Sequence, residues 1–183
     1  MQLQHDNPIL YKFCHRNLQQ VFKDLSLSGS TIQDYIAYVL THFARTSNLF
    51  RIKQLSNFNL ETVVEALVEL EEQHRSDDPI SVSDEMLVRK HIGDFTLFMS
   101  GIFREYVQRI GVLDFYLLEG SRSYHLVFDF VRNQRPEFAP IFHQLSQGFE
   151  HYSGALDYMK KVYFYYPELD DFINQTIRNL LEW

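Results

Sequence analysis

A single cysteine, five prolines and seven glycines in 183 residues remove several architectures at once. One cysteine, Cys14, permits neither an internal disulfide framework nor a cysteine-based zinc site. Its neighbours Ile9, Leu10, Phe13 and Leu18 suit a small buried hydrophobe better than a nucleophile. So few turn formers disfavour β-sandwiches and collagen-like or linker-rich chains. Positive charge is also short, with 17 Lys+Arg against 24 Asp+Glu and a net charge of −7. A phosphate-backbone binder needs a concentrated basic face. Arg45, Arg51 and Lys53 beside Phe50 make only a small patch, so nucleic acid is not an expected partner. Long apolar runs are missing too. The longest uncharged stretch, Phe138–Phe149, has 12 residues, against about 20 for a spanning helix, so no membrane insertion is expected. Met1 to Asn7 is polar and shows no secretory signal, which points to a cytoplasmic protein.

What is present is apolar and helical. Hydrophobic residues make up 45% and aromatics 15%, enough for the core of one domain. Asn7-Pro8 opens a first helix, and Ile9, Leu10, Phe13, Leu18, Val21, Phe22 and Leu25 recur at three-and-four spacing up to Ser26–Ser30. Ser30 with Gln33 reads as a capping box for a second helix, whose stripe is Ile32, Tyr35, Ile36, Val39, Leu40 and Phe43. A third begins at Asn59, with Phe58 and Val63 placed as a staple and a stripe of Leu60, Val63, Val64, Leu67 and Leu70. Glu61, Glu65, Glu69 and Glu72 line its other side as a solvated face.

After Asp77-Asp78-Pro79, Ser81 or Ser83 caps a fourth helix running to about Phe103. Gly111 marks a turn, and a fifth helix runs from Asp114 to about Asn133. A long sixth spans Pro140 to Tyr165. Pro167 breaks it, and Glu168, Asp170 and Asp171 favour the start of a last helix carrying Leu169, Phe172, Ile173, Ile177, Leu180 and Leu181. With no convincing strand, repeat or linker, the reading is all-α: a single-domain bundle of about six to eight helices over residues 1–183.

The common catalytic and nucleotide motifs are absent, as is the Glu-x-x-His pair of di-iron bundles. The unusual segment is H-I-G-D-F-T-L-F-M-S-G-I-F, residues 91–103. Glycine inside a helix costs about 1 kcal/mol against alanine, and close approach of another backbone or a ligand is the usual compensation. An antiparallel pairing of the fourth and fifth helices sets Gly93 level with Tyr124 and Leu97 level with Gly120. Gly93, Gly101 and Gly120 then form a tight packing seam. The same register draws His91, Asp94, Tyr124 and His125 into one neighbourhood. That is a candidate acid–base or ligand site, with His91, Asp94 and His125 as possible metal ligands. His143 and His151, eight apart, do not converge on one ion.

The glycine segment resembles the signature of a family of uncharacterised bacterial all-helical proteins, H-x-G-D-[FY]-x-L-F-x-[ST]-G-[LI]-F. In that family a second helix carries G-x-x-[AS]-Y, here Gly120-Ser121-Arg122-Ser123-Tyr124. The upstream segment T-H-F-A-R-T-S-N-L-F fits as well, and the likeness spans about residues 30–160. It implies a bacterial source and one helical domain, and brings no catalytic residue with it.

Two function classes follow. The first is a non-enzymatic helical interaction or regulatory protein that self-associates or binds a protein partner, supported by 11 Tyr and 16 Phe and by the lack of a nucleophile or ligand set. The terminal segment from Phe172 to Trp183 is the expected contributor to a homo-oligomer. The alternative is a small metal- or cofactor-binding enzyme or sensor using His91, Asp94, Tyr124 and His125, with zinc or iron suiting its nitrogen donors. No cofactor is called for otherwise, and the balance is against catalysis.

Overall fold

A computed structural model describes residues 7–44, 59–75, 80–164 and 171–181. Among the described residues there are helices and no strand. They are α1 (Pro8–Asp24), α2 (Ser30–Phe43), α3 (Asn59–Arg75), α4 (Val82–Ile102), α5 (Arg104–Arg109), α6 (Leu113–Gln134), α7 (Ala139–Gln147), α8 (Phe149–Tyr163) and α9 (Asp171–Leu181). Their buried apolar side chains form one continuous cluster. None of these helices is long and apolar enough to cross a membrane. Phe58, the basic residues 45–53, Asp77-Asp78-Pro79, Pro167, Glu168, Leu169, Asp170 and Trp183 lie outside the described residues, as do the side chains of Leu60, Glu61, Phe172, Leu180 and Leu181.

Helix α4 is the axis of the fold. Every residue from Ile92 to Phe103 is buried, as expected for a helix without a polar face. Around it lie α2, α3, α6 and α8, with α6 making its most extensive contact. Ser81 caps its amino end, accepting from the Asp84 backbone N–H at 3.1 Å. Asn7 does the same for α1 through the Leu10 N–H. Such caps are worth about 1 kcal/mol each.

The elements differ from the expected ones in four places. No capping box opens α2: Gly29 is its cap, at φ 116°, with no side-chain cap hydrogen bond, and Ser30 is already helical. The expected long sixth helix divides at Gly148 into α7 and α8, which turns Phe149 onto Gly120. Between α4 and the turn at Gly111 there is an extra helix, α5, closed where Gly111 adopts φ 76°. The split and the extra helix bring the number among the described residues to nine. On α3, Val63 and Leu70 are buried while Val64, expected in the same stripe, is exposed.

The glycine seam is two seams. A Cβ on Gly93 would lie 2.7 Å from the Tyr124 ring, so α4 and α6 do meet there as the register implied. Gly120 faces Phe149 and the Thr96 hydroxyl, not Leu97. Gly101 faces α8, where a Cβ would stand 2.5 Å from Leu156 Cβ. Close to that second contact, the Ser153 hydroxyl donates to Ser100 Oγ at 2.9 Å. Two helices, α6 and α8, thus close on α4 where its side chains are smallest.

Candidate functional site

Asp94 is 6% exposed, and an ionised carboxylate there needs compensation for lost water. The fold supplies it from three elements. Tyr35 of α2 donates its hydroxyl to Asp94 Oδ1 at 2.6 Å, and Tyr124 of α6 donates to the same oxygen at 2.8 Å. Lys90, one turn earlier on α4, donates to Oδ2 at 2.5 Å. Its ammonium also stands 5.3 Å from the Tyr35 ring centroid and 5.5 Å from that of Tyr38, within cation–π range. Among the described residues Asp94 is its one hydrogen-bond acceptor. The rings of Tyr35 and Tyr124 meet edge to face, and both lie against Phe142.

Burial pushes both phenols well above the ordinary tyrosine pKa, and the negative charge of Asp94 raises them further. Each therefore stays a hydrogen-bond donor. Because Gly93 has no side chain, the Tyr124 ring can lie directly against α4 and still reach the carboxylate one residue along. The seam and the polar cluster are parts of one arrangement.

Beside this cluster is a cavity of about 420 Å³, within the size range of small-molecule sites. Its inner wall is formed by the buried side chains of Tyr35, Val127, Val131, Ile141 and Phe142, together with the partly exposed Lys90. Met86 and Phe138 continue the apolar lining, and the exposed residues Thr31, Ser83, Leu87, Gln134 and Arg135 form the rim. Asp34 also borders the cavity, but its carboxylate is engaged by His15 Nε2 at 2.9 Å and by the Tyr11 hydroxyl.

Of the four residues expected together, Asp94 and Tyr124 are joined, and the two histidines are elsewhere. His125 is 53% exposed and faces Asp129 on its own helix at 3.8 Å. His91 reaches solvent, its ring against Phe43 and Phe95. The water lost from that ring lowers its pKa, outweighing the opposite pull of Asp94. The oxygens of Asp94 accept from phenols and an ammonium, so the expected set of His91, Asp94 and His125 is not gathered. Among the described residues no group of three or more His, Cys, Asp and Glu side chains could hold a metal ion.

Sequence reasoning missed Lys90 and Tyr35. The i, i+4 spacing of Lys90 and Asp94 was available as a signal for an ion pair. Tyr35 carried a weaker one, since a tyrosine within an apolar stripe needs a partner for its hydroxyl. Compared with protein-family models, curated proteins and solved structures, the chain finds no match.

Proposed function

We propose that this chain is a binding module for a small, predominantly apolar molecule held in the cavity between α2, α4, α6 and α7. The observation that carries this reading is the cavity itself: an apolar pocket of about 420 Å³ with Lys90 and Tyr35, the two partners of Asp94 that reach it, on its inner wall. Pockets of this make-up bind by excluding water, with a few placed polar groups setting orientation. The cluster favours binding over catalysis. Neither raised phenol is poised to exchange a proton near neutral pH, and both oxygens of Asp94 are already hydrogen-bonded.

Fluorescence titration with N-phenyl-1-naphthylamine tests it. Saturable one-to-one enhancement is expected with the parent and a large loss of affinity with Val131→Phe, which fills the inner wall. Absence of enhancement, or equal affinity in a folded Val131→Phe protein, would contradict the proposal.

Self-association or docking of a protein partner is the second reading. It is supported by the exposed apolar side chains Val64 and Val68 on α3 and Val82 and Leu87 on α4, since apolar surface is often covered by another chain. The terminal helix is a poorer contributor than expected, because Ile173 and Ile177 are buried in the body of the protein. Sedimentation velocity at high micromolar concentration separates the readings: a monomer that binds the dye supports the pocket alone. A bacterial source belongs to the same proposal and is supported by the sequence resemblance.

A further inference from the structure

The charge arrangement at the inner wall restricts what the cavity accepts. Lys90 is the cationic side chain among the wall residues, and its charge is matched by Asp94 at 2.5 Å. An ammonium has three N–H donors, and Asp94 takes one. Among the described residues no second acceptor bonds the ammonium, and the nearby Tyr35 and Tyr38 rings attract the cation without bonding its remaining donors. Lys90 therefore brings a matched charge and spare donor capacity to the inner wall. A ligand carboxylate reaching Lys90 would put two carboxylates on one ammonium in a water-poor site, and like charges there disfavour each other's ionisation. A pure hydrocarbon would leave the spare donors unmet. An uncharged oxygen acceptor meets both conditions.

We propose that the ligand is an uncharged, mainly apolar molecule carrying a carbonyl-type oxygen that accepts from the Lys90 ammonium, with its apolar body against Val127, Val131 and Phe142. This rests on the binding reading above and deepens it by naming the ligand class. Asp94, held by Tyr35 and Tyr124, acts as the positioning residue that keeps the Lys90 ammonium in place.

Three probes of similar shape test the proposal by displacement of N-phenyl-1-naphthylamine: 2-acetylnaphthalene, 2-ethylnaphthalene and 2-naphthoate. The ketone is expected to bind about tenfold more tightly than the ethyl compound, the scale of one hydrogen bond from a charged donor, and more tightly than the carboxylate. In Lys90→Met the advantage of the ketone over the ethyl compound should vanish while the ethyl compound still binds. Should Lys90→Met fail to fold with Asp94 uncompensated, the pair Lys90→Met and Asp94→Asn removes both charges and allows the same reading. Equal affinity of ketone and ethyl compound in the parent overturns the carbonyl inference and leaves the pocket standing. Tightest binding of 2-naphthoate overturns it in favour of an anion site. If neither the dye nor any of the three probes binds, the pocket itself is refuted.

Discussion

The Tyr124 hydroxyl donates to Asp94 Oδ1 at 2.8 Å by passing over the bare backbone of Gly93. A helix position with no side chain thereby lets α6 approach closely enough to solvate a carboxylate buried in α4. The same carboxylate accepts from Tyr35 of α2, so three helices are tied at one point.

Substitution at Gly93 should break this relationship. Gly93→Leu places bulk against a ring that a Cβ would already approach at 2.7 Å, and overpacking of this kind costs about 1–3 kcal/mol. Gly101→Leu should cost a similar amount through Leu156 of α8. Chemical denaturation measures both. Stabilities within error of the parent would mean the seams are not tight.

Removing one donor from the buried carboxylate should cost less than removing its cation. Tyr124→Phe is expected to lose about 1.5–3 kcal/mol, the value of a hydrogen bond to a charged group. Lys90→Met should lose about 3–5 kcal/mol, because it leaves a buried charge without its counterion. A double-mutant cycle of Tyr124→Phe with Asp94→Asn should show coupling between the two sites, and simple additivity would contradict the contact.

Alkaline pH should weaken the fold through these phenols. Free tyrosines release their protons near pH 10.0, whereas Tyr35 and Tyr124 hold theirs well above that in the folded protein. Above pH 10 the unfolded chain thus binds fewer protons than the folded one. Stability is complete below that pH and falls as pH rises, by about 1.4 kcal/mol per pH unit for each such tyrosine until it ionises in the folded state. Denaturant titrations between pH 9 and 12 should show a shallower fall in Tyr35→Phe than in the parent.

Cys14 should be chemically silent while the protein is folded. It is buried, and burial pushes its thiol up to about 12, so the reactive thiolate is scarce at pH 8. Ellman's reagent is expected to modify it only after denaturant is added. Rapid modification under native conditions would show that the packing of α1 opens readily.

Much of this arrangement was legible in the sequence, and the gaps have geometric causes. The Gly93–Tyr124 pairing followed from antiparallel register, and the all-α class from the three-and-four spacing of apolar residues. Position along a helix does not give direction around it. His125 follows Tyr124 by one residue, about 100° further round, so when Tyr124 faces inward His125 faces away. His91, two residues before Gly93, is displaced about 200° from the seam by the same geometry. Those angles could have separated the histidines from the cluster. Tyr35 could not have been found in this way, because no local spacing states which face of α2 lies over α4. The orientation of Gly101 towards Leu156 likewise depends on where α8 returns, which the break at Gly148 decides.

Occupancy of the cavity beside Lys90 and Asp94 can be followed residue by residue in a ligand titration. Backbone amide spectra of isotopically labelled protein should be recorded with increasing 2-acetylnaphthalene. The result expected is a saturable set of shifts centred on Tyr35, Met86, Lys90, Val127, Val131 and Phe142, with α3 and the α4–α8 seam at Gly101 unchanged. Shifts that cluster away from these residues, or none up to the solubility limit of the ketone, would contradict it.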